Sequence, residues 1–156
     1  MLDNLDLVIL NKVQENGRIT RSELAELVGM SVPAISERLH RLEEKEVITG
    51  YYARVDRHRF GFDIMAFIMV SSESSKHYKS LIQNAEKNAN ILECHAILGE
   101  GSHLIKAIVK NTQSLERLLA EIQTWPGVKS THTYFVLSSA KESTKIELET
   151  NQQIIK

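Results

Sequence analysis

The chain has 156 residues, of which 42% are hydrophobic and 25% charged, a composition typical of a globular protein with one domain or two small ones. The formal net charge of −1 excludes an overall basic field, so any affinity for DNA must come from locally placed cations. No apolar run reaches membrane-spanning length and the N-terminus lacks the basic start of a secretion signal, so we expect a cytoplasmic protein without a membrane partner.

The first 45 residues carry the signatures of short helices. Asp3 is placed to cap the first helix, with Asp6 at the reciprocal position three residues later. Thr20 and Glu23 form the same pattern before a second helix, and Gly29 offers the backbone freedom that ends it. The apolar residues recur at helical spacing, so these helices can share one small core.

A third helix follows directly, with Ser31 as its cap and Pro33 in a first turn where the missing amide costs nothing. Ile35, Leu39 and Leu42 form its buried stripe. The outer face carries small residues first and then hydrogen bonders and cations, which fits a DNA major groove. The candidate DNA-binding residues are Arg21, Ser31, Ala34, Ser36, Glu37, Arg38, His40 and Arg41. The alternative is a pair of amphipathic helices packing an ordinary core.

Arg38 has two interpretations from the sequence. It can contact a phosphate or a guanine edge, or it can pair with Glu15 or Glu44 and lock the helices together. The preferred candidates for reading bases lie nearer the start of the helix, which normally enters the groove. They are Ser31, Ala34, Ser36 and Glu37.

Residues 49–61 are predicted to form a β-strand linker, because β-formers replace the helical pattern after Lys45. The linker carries four groups that can lie beside phosphates or remain solvated. These groups are Arg54, Arg57, His58 and Arg59.

From Phe62 onward the predicted order is strand, helix, strand, strand, helix, strand, with strands at 64–70, 91–98, 104–109 and 128–137. Two successive βαβ units with right-handed crossovers give a ferredoxin-like βαββαβ sandwich, with both helices on one face of an antiparallel sheet. The predicted fold class is therefore α+β: a helix-turn-helix (winged-helix-like) domain at 1–48, a ferredoxin-like domain at 62–140, and a polar C-terminal tail at 141–156.

The first strand, 64–70, is apolar on both of its faces. The two helices cover only one face of the sheet. We therefore expect a second copy of the chain to cover the other face in a homodimer.

A metal site or a catalytic acid/base group is the alternative use of the polar residues on the predicted strands, Glu93, Cys94, His95, His103 and His132. Their spacing matches no compact ligand motif, and alternation along a strand places Cys94 on the face opposite Glu93 and His95. We therefore expect no metal and no enzyme activity. Cys94, the one cysteine, cannot form an internal disulfide and is expected to pack in the core, with a thiol sensor as the alternative.

Short motifs in consistent order resemble one known family over nearly the whole chain. They include Leu2-Asp-x-x-Asp6, Gly17-Arg-Ile19, Glu23-Leu-Ala25, Arg41-Leu-Glu43, Val47-Ile-x-Gly-Tyr51, Pro126-Gly-Val128 and Thr131-x-Thr-Tyr134. With these residues the chain resembles the leucine-responsive and asparagine-responsive (Lrp/AsnC) regulators.

The resemblance implies a transcription regulator with a DNA-binding head and a ferredoxin-like effector and oligomerisation domain. It implies a homodimer that assembles to an octamer, with no cofactor but an amino acid or related metabolite bound as effector between dimers. The implied effector-binding residues are Leu98, Gly99, Glu100, Gly101 and Ser102 in a turn, together with Thr131 and Thr133.

Two positions depart from the family pattern. Glu46 replaces a glycine and would cost about 1 kcal/mol if the backbone is left-handed there. Ser102 and His103 replace an aspartate followed by an aromatic residue. A hydroxyl is a weaker partner for an amino group than a carboxylate, so Glu100 becomes the substitute candidate, or the effector differs, or none binds.

The sequence thus predicts a sequence-specific DNA-binding regulator modulated by a small metabolite. Two alternatives remain at this point. One is an architectural DNA-binding protein without an effector, and the other is a small-metabolite-binding module or enzyme built on the ferredoxin-like half.

Overall fold

A computed structural model of the chain describes residues 2–150. It contains two compact units. The first, which we call the head, combines the residues up to Arg54 with those from Lys141 onward, and the second, the effector unit, comprises Val55–Ala140.

The head contains three helices: α1 (Asn4–Glu15), α2 (Arg21–Val28) and α3 (Val32–Glu44). The predicted caps are confirmed, since the side chains of Asp3, Thr20 and Ser31 each accept a hydrogen bond from the backbone at the start of a helix. Gly29 ends α2 with a φ of 67°, which an L-residue adopts only with strain. The head core includes the fully buried residues Ile9, Leu24, Ile35 and Leu42.

The C-terminal segment belongs to the head, which the predicted separate tail did not anticipate. The Asn11 side chain bonds both backbone groups of Leu148, its Nδ2 donating at 2.8 Å and its Oδ1 accepting at 3.3 Å. The Gln14 side chain likewise donates from Nε2 to the Ile146 carbonyl at 2.9 Å and accepts through Oε1 from the Ile146 amide at 2.8 Å. Leu148 packs against the head core. Residues 145–148 therefore form a strap along α1, while residues 151–156 of the predicted tail lie outside the described part.

The predicted β-strand linker at 49–61 is wrong. Among the described residues no strand lies between α3 and Ile64, and the segment contains only a 3₁₀ turn at Arg57–Phe60. The β-forming residues are present, but a strand needs a hydrogen-bonded neighbour and the linker has none within the chain. The described residues of the head form helices but no strand.

The effector unit contains β1 (Ile64–Ser72), α4 (Tyr78–Lys87), β2 (Ile91–Ala96), β3 (His103–Val109), α5 (Thr112–Gln123) and β4 (Val128–Phe135). The sheet order is β2-β3-β1-β4, with antiparallel pairing throughout. Each helix therefore connects two strands that are separated by a third, and the predicted ferredoxin-like order is confirmed.

One face of the sheet packs against the two helices. Alternate residues of β1, from Ile64 to Val70, join Leu81 of α4 and Leu118 and Ile122 of α5 in a single core. Cys94 packs against this core, as predicted, whereas its neighbours Glu93 and His95 are exposed.

The opposite face of the sheet is mixed in character. Phe67, Leu104 and Ile108 are half-buried there, and the ion pair between Lys106 Nζ and Glu93 Oε1, at 3.1 Å, lies beside them. None of the described helices has the length and apolar character needed to cross a membrane.

Candidate DNA-binding helix and effector turn

The first two turns of α3 present small polar groups to solvent. Ser31 is used as the cap, its Oγ accepting from the Ala34 amide at 3.4 Å. The Ser36 hydroxyl donates to the Val32 carbonyl at 3.0 Å and stays close to the helix axis. Glu37 is exposed and has no hydrogen-bond or ion-pair partner among the described residues. This face is slim enough for a major groove, which admits an α-helix.

A buried carboxylate fixes α3 against α1. Asp6 is completely inaccessible to solvent, and its Oδ1 accepts from Arg38 Nη1 at 2.7 Å. Arg41 Nη2 donates to both Asp6 oxygens at 3.0 Å. Asp3 adds a second contact to Arg38 at 2.7 Å, and this hydrogen bond is the main reason why the pKa of the Arg38 guanidinium is raised. We call these four residues the Asp6 network.

The network shows where the Arg38 side chain is held within the head. Its side chain is 18% exposed and pairs within the head, but its partners are Asp3 and Asp6 instead of the predicted Glu15 or Glu44. Asp6 was predicted only as a helix cap, because pairing across 32 residues leaves no local signal in a sequence. Arg38 thus positions α3.

The remaining cationic candidates of the head differ in their exposure and in their carboxylate partners. Arg41 keeps 43% of its side chain exposed beside Asp6. His40 Nε2 lies 3.2 Å from Glu44 Oε1 at the surface. Arg21, at the start of α2, is exposed and has no carboxylate partner within residues 2–150. Arg21 and Arg41 are therefore the candidates best able to contact phosphates.

The four linker cations all have partners inside the protein. Arg54 contacts Glu142, and Arg57 donates to the Phe62 carbonyl. His58 and Arg59 pair with Asp63 and Asp56, respectively. Their predicted alternative role beside phosphates receives no support from these contacts.

The candidate effector turn joins β2 to β3 and is closed by backbone bonds. The Ile97 amide donates to the Ser102 carbonyl at 3.0 Å, and the Ser102 amide donates to the Val70 carbonyl at 2.8 Å. A Cβ on Gly101 would lie 2.5 Å from Met69 Cγ and 3.2 Å from the Val70 carbonyl oxygen, so the turn can approach β1 only with glycine there. Leu98 is fully exposed, and Gly99 and Glu100 are also exposed.

Ser102 faces inward. Its hydroxyl donates to the Val70 carbonyl at 3.1 Å and lies 3.0 Å from His103 Nδ1, and only 9% of the residue is exposed. Because the hydroxyl hydrogen is used on Val70, the imidazole is the donor in the second contact. Ser102 therefore supports the turn from its buried side, and the accessible part of the turn is formed by Leu98, Gly99 and Glu100.

Thr131 and Thr133 lie on β4, opposite Val70 and Ile68 of β1. Val70 is also the residue whose carbonyl accepts from Ser102, so β1 brings the turn and Thr131 to the same end of the sheet. The Thr131 hydroxyl accepts from Gln123 of α5 at 3.3 Å, whereas Thr133 is exposed.

His103 follows the turn and is 1% exposed. The ring of Tyr78 packs edge-on against it, with 4.7 Å between the ring centroids. Its Nε2 has no hydrogen-bond partner among the described residues. Burial lowers the pKa of His103 below its usual value, so the imidazole is neutral at pH 7.

The polar strand residues considered for a metal site are separated by the sheet. Glu93 accepts from Lys106 and lies 3.2 Å from His95 on the sheet face away from the helices, while His103 is buried on the helix side. No three potential ligands come together in residues 2–150. Burial also raises the pKa of the Cys94 thiol, which makes it a poor thiolate.

Comparison with known proteins identifies both units. Residues 2–49 match the family described as winged helix-turn-helix DNA-binding, and residues 65–146 match the Lrp/AsnC ligand binding domain. The leucine-responsive regulatory protein of Escherichia coli K12 is 32% identical over 155 residues, covering 96% of this chain and 93% of that protein.

Solved structures agree with this match. Escherichia coli AsnC has a TM-score of 0.86 at 30% identity, with 93% of this chain and 98% of that chain covered. A transcriptional regulator from Neisseria meningitidis in complex with L-methionine has a TM-score of 0.88 at 29% identity, with 94% and 96% covered. The chain therefore belongs to the Lrp/AsnC family of transcriptional regulators.

Proposed function

We propose that α3 enters the major groove of double-stranded DNA and that Ser31, Ala34, Ser36 and Glu37 approach the base edges. The observation that supports this most is that different parts of α3 have different contacts. Its apolar stripe and Arg38 hold it against the head, while the start of the helix stays slim and open. Arg21, His40 and Arg41 then serve the phosphates, and Arg38 acts through the position of the helix.

The decisive test is binding of the purified protein to its own upstream DNA and to a scrambled duplex at matched salt. We expect specific binding that Ser36→Glu reduces by at least about tenfold, because a carboxylate at that site would face the negative DNA surface. Ser139→Glu, which adds the same charge to an exposed position of the effector unit, is the matched control and should bind like wild type. Equal binding of the Ser36 variant would contradict the proposal.

We further propose that an amino acid or related metabolite binds at the effector turn, between dimers of an octamer. The exposed Leu98, Gly99 and Glu100 would contact the ligand, with Thr133 nearby. Gly101, Ser102 and Thr131 would hold the turn and its surroundings in shape. Such a ligand alters DNA affinity only by favouring one assembly over another.

The open face of the sheet supports the proposed homodimer. Phe67, Leu104 and Ile108 form an apolar patch that a second copy could bury. Light scattering at micromolar concentration should report a dimer or a larger assembly, and an octamer when dimers associate through the turns. A monomer would contradict this part of the proposal.

A further inference from the structure

A cleft in the effector unit lies at one end of the sheet, beside the ends of three strands. Phe62 precedes β1, Asn90 precedes β2, and Lys110 follows β3. Helix α5 forms the facing wall, with Ser114, Arg117, Leu118 and Glu121 on one helical side. The cavity volume is about 300 Å³, at the lower end of the range of small-molecule sites.

This cleft is separate from the effector turn. The turn precedes His103 at the start of β3, and the cleft begins after Val109 at its end. A strand of this length spans about 20 Å at roughly 3.3 Å per residue. The two places therefore cannot contact the same small molecule.

Two cations of the cleft lack a carboxylate partner within the described residues. Lys110 Nζ lies over the Phe62 ring, 5.7 Å from its centroid, and Arg117 Nη2 donates only to the Ser114 hydroxyl at 3.1 Å. Two unneutralised cations on opposite walls of one cleft form a site of attraction for an anion.

The third charged group of the cleft has the opposite sign. Glu121 Oε1 accepts from Asn88 Nδ2 at 3.0 Å, which holds the side chain in place. A fixed carboxylate can accept hydrogen bonds from an ammonium group. The cleft thus offers positive groups and one negative group to a single ligand.

The apolar part of the cleft is held by the surrounding structure. Leu118 is 2% exposed and belongs to the core of the unit. Phe62 is fixed by its backbone, because its amide donates to the Arg57 carbonyl at 3.1 Å and its carbonyl accepts from the Arg57 side chain. The 3₁₀ turn at Arg57–Phe60 therefore supports the backbone from which this aromatic ring projects.

We infer that this cleft binds a small carboxylate with an apolar side chain. Lys110 and Arg117 bind the carboxylate, and Phe62 and Leu118 contact the apolar part. An α-amino acid and its 2-oxo acid share this chemistry, and Glu121 distinguishes them because only the amino acid carries an ammonium group.

The test is calorimetric titration of the full-length protein with L-methionine and with its 2-oxo acid. We expect both compounds to bind wild type, and the double variant Lys110→Gln with Arg117→Gln to lose one class of sites or to bind at least about tenfold more weakly. The control is Lys79→Gln with Lys87→Gln, which removes the same charge from exposed positions on α4 and should titrate like wild type. Counting sites per chain separates this cleft from the effector turn.

A third variant, Glu121→Gln, identifies the source of the carboxylate. Weaker binding of methionine alone assigns the cleft to amino acids, and unchanged binding of both compounds assigns it to the carboxylate alone. The inference is overturned if wild type binds neither compound, or if the Lys110 and Arg117 double variant keeps the wild-type number of sites and affinities.

Discussion

Within residues 2–150, each unit of the molecule buries one ionisable side chain, and the two side chains differ in how their polar atoms are satisfied. Asp6 in the head is 0% exposed and accepts from two arginines and from the Asp3 amide. His103 in the effector unit is 1% exposed, contacts Ser102 through Nδ1, and leaves Nε2 unpaired among the described residues. The head therefore encloses a compensated charge, and the effector unit encloses a neutral ring.

The difference indicates which change of charge would destabilise the core of each unit. A compensated buried carboxylate holds two helices at a defined angle, and removing one partner leaves the other charges uncompensated. A neutral imidazole packs like an aromatic ring as long as it stays unprotonated. The head should therefore respond strongly to loss of a charge, and the effector unit to gain of one.

The largest effect is expected from Asp6→Asn, which removes the charge but nearly keeps the shape of the side chain. Arg38 is 18% exposed and would lose its buried partner, so we expect the head to lose about 3 kcal/mol of stability. Hydrogen exchange followed by mass spectrometry should show about a hundredfold loss of protection in α1 and α3.

The matched control is Glu37→Gln, which removes an exposed carboxylate from α3 that has no partner in the described residues. It should exchange like wild type. Equal protection in the two variants would mean that the Asp6 network does not stabilise the head.

A smaller effect that depends on pH is expected from His103. Its pKa is lowered in the folded protein, so the unfolded chain binds the proton more readily and stability falls as pH drops below the usual value of 6.5. Above that value the contribution is constant. In urea titrations at pH 5 and pH 8, His103→Phe should reduce the difference between the two midpoints.

The fluorescence of Trp125, the one tryptophan, reports this unit directly, because the ring is 6% exposed in its core. Tyr78→Phe is the control, since it keeps both the imidazole and the packing of the ring against it. A variant without His103 that retains the full wild-type pH dependence would place the titrating group elsewhere.

The smallest effect is a gain, from Glu46→Gly in the head. Glu46 has a φ of 54°, as its departure from the family pattern suggested, and it is exposed. Glycine relieves roughly 1 kcal/mol of strain but gives back about half of this through the entropy of the unfolded chain, so we expect a net gain of about 0.5 kcal/mol. Thermal melting followed by far-UV circular dichroism should show a slightly higher midpoint, whereas a lower one would contradict the strain argument.

Features with a local cause were predictable from the sequence. The caps at Asp3, Thr20 and Ser31 depend on neighbouring residues, and the ferredoxin-like order follows from the alternation of apolar patterns with periods near two and 3.6. The strand predicted to reach Leu98 ends at Ala96, and the Ile97 amide donates to the Ser102 carbonyl where the turn begins.

Features that depend on distant pairs were not predictable. Asp6 meets Arg38 across 32 residues, and Asn11 meets Leu148 across 137. The Val47 to Asp56 segment has strand composition, but composition does not supply a pairing partner. In the candidate effector turn, the sequence identified Ser102 as a departure but not that its hydroxyl is directed at Val70.

The strap along α1 also affects the order in which the two units can fold during synthesis. The effector unit is one continuous stretch, whereas the head core includes Leu148, which is synthesised after that stretch. On a translating ribosome the sheet of the effector unit can close first, since domains generally fold as units as they emerge. The DNA-binding head then completes its core last, so a chain truncated before Ile146 would carry three head helices without the segment that binds Asn11 and Gln14.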